Sequence, residues 1–276
     1  MQTGWQQLLQ AHYGGFTPVR LSGGYTNDMF YLEGTDPPLV AKISGAGSKD
    51  ARNEVRCLQQ LQDAPVPKLY AVWEEEDQLA AIMDYRQGQN GQSLLDSGSP
   101  DVSALYESLG RTLAAHVHRH DYRPESEIRT GTLPQTDLPF VPEDLAVQSE
   151  EWLKRLPRGL TALTHGDYGP HNVLYTPEGL TVLDWEWAEW NHPLFDLAWT
   201  CWFTKLHYPE QADEWNRRFL NAYLHVRPLP FSSEQLQSCC VYKVWQVLHK
   251  IQHAPQAQAE WVRRLRWTLD TRIAPC

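Results

Sequence analysis

The chain has no long apolar run. No window of its 276 residues approaches the roughly 20 apolar residues a membrane-crossing helix needs. Its start, Met1-Gln2-Thr3-Gly4-Trp5, lacks the basic-then-apolar pattern of a secretory leader. The expectation is a soluble, cytoplasmic protein with no membrane partner. Cysteine is scarce too: five residues (57, 201, 239, 240 and 276) with no Cys-x-x-Cys pair. That speaks against a disulfide framework or a thiolate zinc site and leaves reduced, buried thiols. There is no block of Lys and Arg, and the net charge is −10, which argues against nucleic acid as the main partner. An acidic surface would instead help gather a cationic small molecule, or serve solubility alone. A Gly-x-x-x-x-Gly-Lys-(Ser/Thr) phosphate loop is also missing, which excludes a Walker-type nucleotide site.

What is present is enough for a core: 42% hydrophobic residues and twelve Trp. The length fits one large domain or two modest ones. The most informative stretch is 164–200, THGDYGPHNVLYTPEGLTVLDWEWAEWNHPLFDLAWT. Here His165-Gly166-Asp167 is followed five residues past the Asp by Asn172, and twelve residues later by Asp184-Trp185-Glu186. Between them, Val173-Leu174-Tyr175 and Leu180-Thr181-Val182-Leu183 flank a Thr176-Pro177-Glu178-Gly179 turn, which predicts a hairpin. Such a hairpin brings Asn172 and Asp184 together. An amide oxygen and a carboxylate are the hard ligands that the magnesium of a nucleotide requires. Asp167, on the loop before, is left to receive a hydroxyl proton.

The N-terminal third predicts strands around a helix. Residues 20–32 read as strand, Ser22-Gly23-Gly24 turn, strand; such a turn exposes backbone N–H groups to an anion, although hairpins use paired glycines often. Leu39-Val40-Ala41-Lys42-Ile43 is a short buried strand carrying one Lys, which burial obliges to be paired. A helix over 48–62 offers Glu54 as that partner; the bland alternative makes Lys42 an edge-strand solubility residue. Strands at 69–74 and 79–83 lead into the polar segment after Met83-Asp84-Tyr85, where a linker between two lobes would fall. An amphipathic helix over 102–120 follows, with Leu105, Leu109, Leu113 and Val117 on one stripe. His116, His118 and His120 on it read as surface or capping residues rather than zinc ligands. Residues 121–147 look like a Pro- and Thr-rich insert before helix resumes at 150. After Pro193 a new helix begins at Phe195, and further helices are expected over 210–226, 232–251 and 257–271. Asp196 would cap its helix or hydrogen-bond the catalytic loop.

The order Gly turn, strand Lys, helix Glu, linker, His-x-Asp-x-x-x-x-Asn and later Asp resembles the protein-kinase-like small-molecule kinases. Within these it is most similar to the aminoglycoside phosphotransferase and choline kinase family. Gly166 stands where protein kinases have Arg, and Trp185-Glu186 where they have Phe-Gly. The resemblance spans roughly residues 20–200. It implies an α+β, bilobal fold: a small antiparallel β-rich lobe (1–84) that binds nucleotide and a larger helical lobe (85–276) that binds substrate and does the chemistry. It further implies ATP (or GTP) and Mg2+ as cofactors, with O-phosphorylation of a small alcohol.

In that reading Asp167 is the catalytic carboxylate, and Asn172 and Asp184 hold the metal. Lys42, fixed by Glu54, meets the phosphates along with Ser22, Gly23 and Gly24. The backbone of Met83, Asp84 and Tyr85 meets the adenine. Glu186 binds a second magnesium or a cationic substrate. Trp187 and Trp190, with Trp199 and Trp202 nearby, offer aromatic faces to a quaternary ammonium or are simply core. The expected activity is a choline/ethanolamine kinase-like phosphotransfer. The rivals are an aminoglycoside or macrolide phosphotransferase and a catalytically silent nucleotide-binding relative.

Overall fold

The computed structural model describes residues 4–21, 27–75, 78–159 and 161–275. Its N-terminal part is a five-stranded antiparallel sheet in the order β1-β2-β3-β5-β4, with one helix on each side. Helix α1 (Gly4–Tyr13) turns Trp5 and Leu9 onto Leu32, Leu39, Ala41 and Ile82 of the sheet. Strands β1 (Thr17–Arg20) and β2 (Asp28–Glu33) lead to β3 (Leu39–Gly45), which is buried along all but its last residue. Helix α2 (Lys49–Gln60) starts where Ser48 accepts a hydrogen bond from Ala51 N at 3.1 Å, and Leu61 closes it. It is therefore shorter than the 48–62 span the apolar spacing predicts. Strands β4 (Leu69–Glu74) and β5 (Gln78–Asp84) complete the sheet, with Lys42 of β3 opposite Ala81 of β5.

The remainder is mainly helical. Strand β6 (Gln89–Asn90) runs into α3 (Gly91–Asp96), whose N-cap Asn90 accepts from Gln92 N and Ser93 N. Its amide also donates to His171 O at 2.9 Å and so ties the segment after β5 to the loop that precedes β8. Helix α4 (Val102–Thr112) places Leu105 and Leu109 in the main core, each such buried side chain contributing roughly 1.5–3 kcal/mol. Gly110 is required there because a Cβ would lie 2.3 Å from Phe219 O.

The amphipathic pattern over 102–120 predicts one continuous helix. Instead, Leu113–Val117 forms a π turn, with His118 N bonded to Leu113 O at 2.9 Å. The wider turn rotates His118 into the interior. The expectation of a surface histidine is corrected: His118 is fully buried.

Helix α5 (Glu143–Leu153) begins inside the segment the sequence marks as an insert. Two three-residue strands, β7 (Ala162–Thr164) and β10 (Glu189–Asn191), pair antiparallel around the expected hairpin of β8 (Val173–Thr176) and β9 (Gly179–Val182). Then come α6 (Leu194–His207), α7 (Ala212–Val226), α8 (Ser233–Lys250) and α9 (Pro255–Asp270). A capping box between Ser232 and Gln235 starts α8. Trp199 and Trp202 of α6 stack at 4.5 Å with 6° between their planes, and Trp261 of α9 continues the column at 6.0 Å and 9°. The described cysteines, 57, 201, 239 and 240, are free and buried.

Candidate active site

Lys42 reaches from the middle of β3 into a group of acids. Its Nζ lies 2.7 Å from Glu54 Oε2, 3.0 Å from Asp184 Oδ1 and 2.9 Å from Glu186 Oε1. Burial works against its charge. The attraction of Glu54, then of Asp184 and Glu186, outweighs that and holds the ammonium well above its usual range. The scale supports this: at an effective dielectric near 20, a unit-charge pair at 4 Å is worth about 4 kcal/mol. One cation against three carboxylates still leaves a net negative cluster. Burial, followed by the like charges of Asp184 and Glu186, raises the Glu54 carboxyl against the pull of Lys42.

Oxygens of Glu54, Asp184 and Glu186 all lie within 4.8 Å of one another. Three converging carboxylates with a charge deficit are the donor set that a hard divalent cation fits. Asp184, with 43% of its side chain exposed, is the open edge of the group; Glu54 and Glu186 are nearly closed off. It owes that position to backbone in the left-handed region (φ 62°), which Asp tolerates better than most side chains. The residue after it, Trp185, donates its backbone N–H to Glu54 Oε1 at 3.3 Å. Asn27 donates to Glu186 Oε1 and accepts from Ser44 Oγ at 2.5 Å.

The loop that carries Asp167 is gripped through its main chain. Asp196, fully buried on α6, accepts from His165 N at 2.7 Å and Gly166 N at 2.8 Å. Its Oδ2 also meets His118 Nε2 at 3.0 Å, and Tyr223 OH lies 2.8 Å from His118 Nδ1. Burial alone would raise the Asp196 carboxyl; the bond from His118 reverses that and lowers it. Gly166 sits at φ 80°, and a Cβ there would stand 2.1 Å from Trp187 O, which no other residue could accommodate. His165 accepts at Nδ1 from Asp167 N (3.2 Å), so its proton is on Nε2, which donates to Leu183 O at 2.8 Å. Burial lowers its pKa, consistent with a neutral ring.

Asp167 receives Trp199 Nε1–H at Oδ1 (2.7 Å) and Asn172 Nδ2 at Oδ2 (3.0 Å), with His171 Nε2 at 3.3 Å. Burial pushes its carboxyl up, but His171 and the Trp199 indole prevail and hold it at about 2. So weak a base is suited to orienting a hydroxyl by hydrogen bonding rather than to removing its proton early. Asn172 also donates to Asp167 O at 2.9 Å, so its amide nitrogen is spent and its oxygen is the end suited to a cation. The β8–β9 hairpin joins the two halves through Leu183 N to Asn172 O at 2.8 Å.

The remaining expected positions divide. Ser22, Gly23 and Gly24 lie outside the described residues. Met83 is buried, and the backbone N–H groups of Asp84 and Tyr85 are bonded to Lys68 O and Pro38 O. Asp84 also accepts from Lys68 N at 2.7 Å, and Tyr85 packs edge-on against Tyr31. Trp190 does not reach a cleft: it is 1% exposed, and Tyr122 covers it edge-on. The expectation that it meets a substrate is corrected, because its β10 side chain points into the core. Trp187 is partly buried and carries Lys243 and Lys250 over its ring at 5.1 and 4.3 Å.

Sequence reasoning missed the His118–Asp196 pair, His171 and the indole donor Trp199. It also missed Asn53, which donates to Ala188 O at 2.8 Å and fastens α2 to the segment after Asp184. His171 and Asn53 were visible as polar neighbours of motif residues; nothing local marks His118.

Residues 17–236 match the model of the phosphotransferase enzyme family. No curated protein sequence matches the chain. Among solved structures, the fold is similar to aminoglycoside phosphotransferase APH(4)-Ia in a ternary complex with ADP and hygromycin B. That pair is 17% identical, aligns 97% of this chain with 98% of the other and has a TM-score of 0.72. It is also similar to the amicoumacin kinase hAmiN bound to AMP-PNP (13% identity, 99% and 96% covered, TM-score 0.70). A choline/ethanolamine kinase family protein from Mesorhizobium loti aligns at 20% identity, 95% and 91% coverage and a TM-score of 0.63. With the match spanning most of its length, the chain belongs to the phosphotransferase enzyme family, and it is a small-molecule kinase.

Proposed function

We propose that this enzyme transfers the γ-phosphate of ATP (or GTP) to a hydroxyl of a small molecule, in a cleft between lobes 1–84 and 85–276. The observation that carries this reading is the convergence of Lys42, Glu54 and Asp184 beside the Asn172–Asp167 pair. Lys42 meets the phosphates and Glu54 keeps it in place. Asp184 and the Asn172 amide oxygen hold magnesium, with Glu186 beside them. When bound, that ion offsets negative charge on the phosphates. Asp167 aligns the acceptor hydroxyl for in-line attack and receives its proton.

The silent-binder alternative is disfavoured by the complete set of polar groups. The acceptor is a small alcohol. A cationic one, as in choline kinases, is supported by the net charge of −10 and by the indoles near Asp167. Against it, Trp187 already faces two lysines and Trp190 is core. The test is ATP-dependent phosphorylation across amino alcohols, aminoglycosides, sugars and hydroxy acids. Asp167→Ala should abolish transfer while nucleotide binding persists. Undiminished transfer by that variant, or failure to bind MgATP, would refute the assignment.

A further inference from the structure

A buried cation on α8 makes no direct ion pair among the described residues. Lys243 stands in the run Cys239-Cys240-Val241-Tyr242-Lys243-Val244-Trp245 and is 1% exposed. Its Nζ makes one hydrogen bond, to Gln246 Oε1 at 2.6 Å, and among the described residues no carboxylate lies within ion-pairing distance. Two ring faces also stand over it, Trp187 at 5.1 Å and Trp199 at 5.7 Å, while Glu189, Asp167 and Asp196 act on it from beyond ion-pairing distance. Cation–π contacts return roughly 0.5–2 kcal/mol each. Desolvating an unpaired ammonium costs several kcal/mol, so the position is a net expense to the folded chain.

Its place explains why such a group would be kept. The indole of Trp199, whose face is near Lys243, donates its N–H to Asp167 Oδ1 at 2.7 Å. Lys243 and the carboxylate that receives the acceptor hydroxyl therefore flank a single indole. Gln246 is itself pinned, its Nε2 donating to Glu189 Oε1 and Oε2 at 3.2 and 3.3 Å and to Tyr242 OH at 3.0 Å. That fixes the ammonium and leaves two of its three N–H donors without a protein acceptor. Burial lowers its pKa, against weaker pulls from Glu189, Asp167 and Asp196.

We propose that Lys243 recognises a carboxylate on the acceptor, so that the substrate is a small hydroxy acid. The inference rests on the phosphotransferase reading. Two free donors and one positive charge match the two oxygens and single charge of a carboxylate better than a phosphate dianion. A quaternary ammonium would be repelled, because Trp187 already carries the ammonium groups of Lys243 and Lys250. In the reaction the acceptor oxygen bonds to the γ-phosphorus as the bond from that phosphorus to the β,γ-bridging oxygen breaks. The electron pair leaves with ADP, and the hydroxyl proton passes to Asp167.

The test uses the full chain with ATP and magnesium and three probes: 4-hydroxybutyrate, its neutral amide, and choline. The expected result is a kcat/KM for the acid at least tenfold above the amide, with choline poorest. Lys243→Met should raise KM for the acid at least tenfold and bring its kcat/KM to within about threefold of that for the amide. Lys243→Arg should keep most of the preference. Equal use of acid and amide, preference for choline, or an unchanged KM in the Met variant would overturn the proposal. Should the Met variant not fold, the wild-type acid-to-amide ratio and the Arg variant decide. Calorimetry separates the two levels of failure. MgATP binding without any response to carboxylate sinks this inference alone, whereas no MgATP binding sinks the phosphotransferase reading beneath it.

Discussion

Lys42 and Lys243 are both almost wholly withdrawn from water, yet the first touches three carboxylates and the second touches none. In the sheet, an excess of negative charge surrounds one ammonium, and the shortage is of cations. In the helical part, one ammonium lies among indoles and a carboxamide, and Glu189, Asp167 and Asp196 act on it only from beyond ion-pairing distance. In the proposed reading they mark the two ends of a transfer site: at one, the magnesium of a metal–nucleotide complex would supply positive charge, and at the other the acceptor would supply a contacting anion.

The comparison can be broken in several ways. The largest effect is expected at the carboxylate between the two lysines: Asp167→Asn should lower kcat by about 10²–10⁴, as measured by phosphate transfer. Next, Lys42→Met strands three acids and should destabilise the fold by about 3–5 kcal/mol in urea unfolding. Lys243→Met should do the opposite and stabilise by ~1–4 kcal/mol, since an apolar chain replaces an unpaired charge. If both variants shift in the same direction, the contrast is wrong.

Alkaline titration sharpens the point. Lys243, with its pKa lowered when folded, opposes folding while charged. Its cost is relieved as pH rises from its folded value towards the ordinary 10.5, so stability should climb in that window. Lys42, raised when folded, should lose its contribution only as pH passes above 10.5. The climb should vanish in Lys243→Met. The smallest change is expected for Trp199→Phe, which removes one donor from Asp167. The carboxyl, now held at about 2, should rise, moving the acid limb of the rate profile to higher pH with a several-fold loss in kcat.

Much of the first lysine's surroundings was legible in the sequence. Lys42 lay in an apolar pentapeptide, Glu54 on an amphipathic helix, and Asn172 and Asp184 at the two ends of a hairpin with plain turn chemistry. These signals are local and periodic. The second lysine's surroundings were not legible, because they depend on side chains far apart in the chain meeting on packed helices. Trp190 was left between a substrate-facing ring and a core residue, and its place in the three-residue pairing of β10 with β7, at 1% exposure, puts it in the core. His118 was misassigned because a π turn, which leaves no mark in apolar spacing, rotates it onto Asp196. Asp196 as a clamp on the catalytic loop was foreseen as one of two roles, and the main-chain bonds to residues 165 and 166 support it. Lys243 was not singled out in the sequence, because the rings it meets, Trp187 and Trp199, lie far from it along the chain.

The column of Trp199, Trp202 and Trp261 gives the enzyme an optical signature of its own. Indoles 4.5 Å apart and nearly parallel couple their strong electronic transitions, so the far-ultraviolet circular dichroism of the native protein should carry an exciton couplet. Because the first ring of the column is bonded to Asp167, a ligand that alters that bond should perturb the couplet, and binding can be followed without any label.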